Sequence, residues 1–92
     1  MSHTIEGKAK LLHRVRRVRG QIEAVERALV EEKGCGSVLQ LVVAARGAMN
    51  SLMAEIIEGH IRTHVADPNR DRDRTRAQGT QELIDVVQAY LK

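Results

Sequence analysis

The chain is 92 residues long, carries 15 Lys and Arg against 12 Asp and Glu for a formal charge of +3, and has neither Phe nor Trp, so that Tyr90 is its one aromatic. A single domain of this size, with a core limited to Leu, Val, Ile, Ala and Met, struggles to offset its chain entropy, so partner subunits are expected to complete it. The lone Cys35 excludes an intrachain disulfide framework, and with no apolar leader core and no uncharged run approaching ~18 residues the sequence reads as soluble and cytoplasmic.

The first predicted helix covers about residues 6–31, with Thr4 as its cap. Leu11, Val15, Val18, Ile22, Val25 and Leu29 recur at alternating spacings of four and three, a coiled-coil-like seam. Between Gly7 and Gly20 stand Lys8, Lys10, Arg14, Arg16, Arg17 and Arg19, with no acid among them. At about 100° per residue, Lys10, His13, Arg14 and Arg17 gather on one flank of the seam. A positive stripe confined to one segment points to a polyanion partner.

Lys33-Gly34-Cys35-Gly36 breaks that helix, and Ser37 is placed to cap a second over about residues 37–65. Val38, Leu41, Val42, Ala45, Met49, Leu52 and Ile56 follow helical spacing, while Leu39, Val43, Ala44, Met53, Ile57 and Ile61 fill most of the remaining circumference. A helix apolar nearly all round is buried on more than one face, which one neighbouring helix of its own chain cannot achieve. Arg46 interrupts it and must find a partner or reach the surface. Pro68 ends it, and the charge-alternating stretch over residues 66–79 reads as a flexible linker. A third helix is predicted over about residues 80–91, with Leu83, Val87, Tyr90 and Leu91 on its packing side. The fold class is therefore all-α, a three-helix protomer within one domain spanning residues 1–92.

Four side chains are candidate ligands: His3, Cys35, His60 and His64. His60 and His64 stand i,i+4 on one helix, a spacing that lets two imidazoles converge on one metal ion. Cys35, at the helix start with Lys33 nearby, suits a ligating or reactive thiolate. Twenty-five helical residues separate Cys35 from His60, roughly 37 Å, so they cannot form one site within a chain. An antiparallel pair of second helices would bring Cys35 of one chain beside His60 and His64 of the other, and a two-fold axis would create two equivalent sites. The small Ser2 permits removal of Met1, which would leave a free amine beside His3 as a chelating pair.

With these residues in place, the stretch RVRRVRGQIEAVERAL, the lone Cys and LVVAARGAMNSLMAEIIEGHIRTH resemble the copper-, nickel/cobalt- and formaldehyde-responsive repressors of the CsoR/RcnR/FrmR family. The resemblance spans nearly the whole chain and weakens over residues 66–79. It implies a disc-shaped homotetramer, a dimer of antiparallel dimers, that binds double-stranded operator DNA when unliganded and releases it on sensing. It also implies DNA contacts from Arg14 and Arg17, with Lys10 sharing their stripe. Arg46 is assigned a structural role before a DNA role.

Subtype follows from the ligand positions. Copper sensors of the family carry a second Cys where this chain has His64, and one thiolate per site is poor for Cu(I). Nickel/cobalt sensors use an N-terminal His, then Cys, His and His, which His3, Cys35, His60 and His64 match; Ni(II) or Co(II) is the effector so implied, with Zn(II) a further candidate. The first-helix text is closer to the formaldehyde branch, whose chemistry would use Cys35 and the Ser2 amine. A metal buffer without a DNA role would keep the ligands but have no need of the basic stripe. An enzyme using Cys35 as nucleophile is disfavoured, because no oxyanion donor or third triad member is apparent.

Overall fold

The computed structural model describes residues 7–91, and three helices account for most of them: α1, Lys8–Val30; α2, Cys35–His64; and α3, Arg74–Leu91. Among the described residues there is no strand, and no helix is long and apolar enough to cross a membrane.

The first helix starts later than expected. Gly7 is its N-cap, with no side-chain cap hydrogen bond, and the Gly7 carbonyl accepts from Leu11 N–H at 2.9 Å. Thr4, the expected cap, lies outside the described residues. At the other end Glu32 takes the left-handed conformation (φ 57°). Lys33 N–H then reaches Ala28 O at 2.9 Å, and Glu32 N–H reaches Leu29 O at 3.1 Å. These two bonds make a Schellman stop, in which a glutamate occupies the position glycine usually takes. The glycines just downstream therefore do not end α1. Gly34 is instead the N-cap of α2, so Cys35 is its first residue, and Ser37 is not the cap expected of it.

The expected flexible linker is shorter and more ordered. Asp67 O accepts from Arg70 and Asp71 N–H at 3.0 and 2.8 Å, and Asp67 Oδ1 accepts from Asn69 N–H at 3.0 Å. Asp73 Oδ1 accepts from Arg76 N–H at 3.1 Å, which caps α3 six residues before its expected start. Alternating charge signals solvation, but short acidic side chains at these spacings also satisfy the first N–H groups of a helix. The earlier start changes the packing face. Ile84, 2% exposed, and the buried Thr80 anchor it, with Val87 and Leu91 half-buried, whereas the expected Leu83 and Tyr90 face solvent.

Asp71 adds a pH-dependent lock to this start. Arg76 donates Nε and NH2 to its two carboxylate oxygens at 2.5 and 2.8 Å, and Asp73 N–H adds a third bond at 3.0 Å. The Arg76 hydrogen bond, and then the Asp73 N–H, hold the Asp71 carboxyl below its ordinary value near 3.8. A depressed carboxylate contributes stability that is present above the unfolded value and lost as pH falls through the folded one. Asp71→Asn is therefore expected to lower the melting temperature at neutral pH, with the difference from wild type shrinking once pH falls below about 4 and vanishing only as it passes through the depressed folded value. A difference that persists undiminished in acid would rule out the lock.

α1 and α2 form an antiparallel hairpin, and α3 packs on α2 alone. The three lie side by side in a layer of 57 × 25 × 12 Å, about one helix thick. The radius of gyration is 17.1 Å, against roughly 12 Å for a compact chain of this length. The expected α1 seam is split by this layer. Val18 is buried and Leu11 and Val25 half-buried against α2, whereas Val15, Ile22 and Leu29 remain exposed.

Candidate metal centre and nucleic-acid interface

α2 presents three arcs. At about 100° per residue, Leu41, Ala45, Ala48, Ser51 and Glu55 lie toward α1, and Ala54, Glu58 and Ile61 toward α3. The third arc is open. The exposed Leu39, Val42, Met49, Met53 and Ile56 fall within about 100° of one another on it. Cys35 stands at one end of this apolar row, and His60 and His64 at the other. Arg46 lies near its middle, exposed.

The two histidines are brought together, their ring centroids 4.9 Å apart and tilted by 45°. Both are exposed, as is the Cys35 thiol. A Cβ added at Gly34 or Gly36 would meet nothing within 4 Å, so the backbone flanking the thiol is open to close approach. Cys35 itself is not brought to the histidines, since it begins the 30-residue helix that His64 ends. Among the described residues no group of three or more His, Cys, Asp or Glu side chains could hold a metal ion. His3 and the Ser2 amine lie outside the described residues. The donor set nonetheless fits a borderline metal ion: two imidazoles one turn apart and one thiol, all on the same open face.

Behind the histidines, α3 braces the last turns of α2. Gln88 Nε2 donates to Glu58 Oε1 at 2.6 Å, Arg62 Nε donates to Glu58 Oε2 at 3.3 Å, and Arg62 NH1 donates to Asp67 Oδ1 at 3.3 Å. This network lies across the helix from the open face, so it stiffens the histidine-bearing end without covering it.

The basic flank of α1 divides in two. Arg14 NH1 donates to Ser51 Oγ at 2.6 Å, Arg14 NH2 lies 3.6 Å from Glu55 Oε2, and Lys10 Nζ lies 2.7 Å from Glu55 Oε1. Arg17 is exposed and makes no ion pair among the described residues. With Arg14, Gln21, Gly47 and Ser51 it lines a cavity of about 340 Å³. Arg16 is exposed, and Arg19 pairs loosely with Glu23 at 3.9 Å. Reading α2 as apolar nearly all round passes over Ser51 and Glu55. Their i,i+4 spacing within an apolar helix is the signal that could have found them.

Comparison with known proteins adds three findings. The family model of metal-sensitive transcriptional repressors matches residues 7–89. An uncharacterized protein in the bioA 5′ region of Serratia marcescens is 47% identical over 92 residues, covering all of both chains. The transcriptional repressor RcnR of Salmonella paratyphi B is 37% identical over 92 residues, again covering all of both chains.

Proposed function

Since the chain belongs to the family of metal-sensitive transcriptional repressors, we propose that it represses by binding operator DNA when unliganded and lets go when Ni(II) or Co(II) occupies a site shared between subunits. The observation that carries this reading is the open face of α2, an apolar row with the thiol at one end and the paired imidazoles at the other. A second copy laid antiparallel on that row sets Cys35 of one subunit beside His60 and His64 of the partner subunit, twice by symmetry. Two such dimers form the tetramer. The nitrogen and sulfur donors suit Ni(II) and Co(II), with Zn(II) a weaker candidate, and His3 and the Ser2 amine complete the set once Met1 is removed. When bound, the ion supplies a bond between subunits.

This chain's residues convert that bond into a change at the DNA surface. Cys35 and the two histidines fix the register of the paired α2 helices. The basic side chains stand on α1, which packs along α2 as an antiparallel hairpin, so a change of register between paired α2 helices repositions α1 and the cations it carries. Lys10, Arg14 and Arg17 then no longer match the phosphate spacing they share across the tetramer. A coupling of ~1–3 kcal/mol between the two ligands is typical, and reciprocity requires DNA to weaken metal binding by the same factor.

The test is fluorescence anisotropy of promoter DNA with the protein alone and with Ni(II), Co(II) or formaldehyde. Binding alone and release by Ni(II) or Co(II) is the expected result. Absence of DNA binding would leave a metal buffer. Release by formaldehyde alone would favour the second reading, suggested by the exposed Cys35, in which the thiol and the Ser2 amine are joined by a methylene with loss of water. Arg14→Ala and Arg17→Ala are each expected to weaken DNA binding and leave metal affinity unchanged. The salt dependence should flatten by about one unit of slope for every phosphate that the variant no longer neutralises. Unchanged affinity in both would place the DNA surface elsewhere.

A further inference from the structure

Two of the three cations that read as DNA contacts, Lys10 and Arg14, are already engaged by an acid of their own chain. We propose that Glu55 is an intramolecular competitor of DNA phosphate for Lys10 and Arg14, so that DNA binding requires α1 to exchange one anion for another. This rests on the repressor reading and adds a residue that sets its affinity.

Three observations support it. One carboxylate faces both cations, with Oε1 2.7 Å from Lys10 Nζ and Oε2 3.6 Å from Arg14 NH2. The carboxylate is 19% exposed and the Arg14 side chain 23%, so solvent screens that contact less than it would a surface pair, whereas Lys10, at 66%, can swing out. Finally, the bound pose of Arg14 is imperfect. Ser51 satisfies NH1, but Nε is buried with no hydrogen-bond partner. A buried N–H without an acceptor destabilises the pose that holds it, and moving out to a phosphate restores the missing bond. Arg14 is thus held firmly enough to tax DNA binding and poorly enough to be drawn away. Arg17, exposed and with no such acid among the described residues, is available from the outset.

The experiment measures binding of a labelled mixed-sequence duplex at low salt, because phosphate contacts do not depend on sequence. Glu55→Gln keeps the shape of the side chain but removes its charge and replaces one of the two acceptor oxygens by an NH2 donor, which neither cation can use. Partly exposed ion pairs each shift an equilibrium constant by up to about fivefold, so releasing two is expected to tighten DNA binding by about five- to twentyfold. Glu23→Gln, which removes a charge from the exposed Arg19 pair, sets the baseline for bulk electrostatics and should change affinity by less than about twofold. In a Lys10→Ala/Arg14→Ala background the gain from Glu55→Gln should disappear, a result that a merely structural role would not produce. Should Glu55→Gln fold poorly by melting temperature, Ser51→Ala removes the hydrogen bond that helps hold Arg14 beside Glu55, loosening that pose without breaking the ion pair, and is expected to give about a two- to fivefold gain. Equal or weaker binding by the freed variants would show that Glu55 presents the cations to DNA and would overturn the proposal. So would a gain that survives in the double-alanine background. Wild-type protein that binds no duplex would instead sink the repressor reading itself, an outcome distinct from either.

Discussion

Mixing two proteins that each fail to bind metal, Cys35→Ala and His60→Ala/His64→Ala, is expected to restore metal binding. Neither variant alone should show a thiolate-to-metal charge-transfer band with Ni(II) or Co(II). The reason is the length of α2. Cys35 opens it, the histidines close it, and roughly 37 Å separates Cys35 from His60. All three lie on its open face, so only a second copy can bring the two ends together. In a mixed dimer one site takes Cys35 from the double-histidine variant and both histidines from the Cys35→Ala variant. That site is intact, and the other loses all three ligands. Random exchange makes about half the dimers mixed, each with one intact site of two, so the recovered band should reach about a quarter of the wild-type amplitude. Subunit exchange is verified separately by native mass spectrometry. Exchange without recovery of the band would eliminate the shared site.

A charge placed in the apolar row should dissociate the assembly. Met53 is 42% exposed within the protomer, so Met53→Glu costs the single chain little. At a dimer interface the same carboxylate would be buried without a partner, a penalty of several kcal/mol and at least about a hundredfold loss in association. The protomer shows why association is expected. It exposes 6864 Å², against roughly 5,400 Å² for a compact monomer of its 10.3 kDa. Its only large, fully buried side chain among the described residues is Ile84. Sedimentation equilibrium is expected to give a tetramer for the wild type and a smaller species for Met53→Glu. A well-folded wild-type monomer at micromolar concentration would remove both the shared site and the repressor reading. A Met53→Glu tetramer would move the interface off this face.

Much of the candidate site was legible because helical periodicity is a local property. The i,i+4 spacing of His60 and His64 predicts neighbouring rings, and the structure places them 4.9 Å apart. The span of α2 separates Cys35 from them whatever packs around it. The excess of apolar positions on α2 likewise announces more than one covered face. Helix boundaries were less legible, because they depend on which side chain reaches which backbone group. Asp73 rather than Thr80 begins α3, and Glu32 rather than a glycine ends α1.

By itself, then, the sequence determined the all-α class, the three helices in their order, and the family. Those follow from residue type and from spacings of three and four along one chain. Tertiary structure alone decided which half of the α1 seam is covered, with Val18 inside and Val15, Ile22 and Leu29 outside. It decided that Ile84, not Leu83, anchors α3. It also decided that Arg14 and Lys10 converge on Glu55, more than forty residues further along the chain. The physical reason is common to all three. A helix specifies the angles of its side chains about its own axis, but the rotation and offset at which a neighbour docks are set by the packing of both surfaces together.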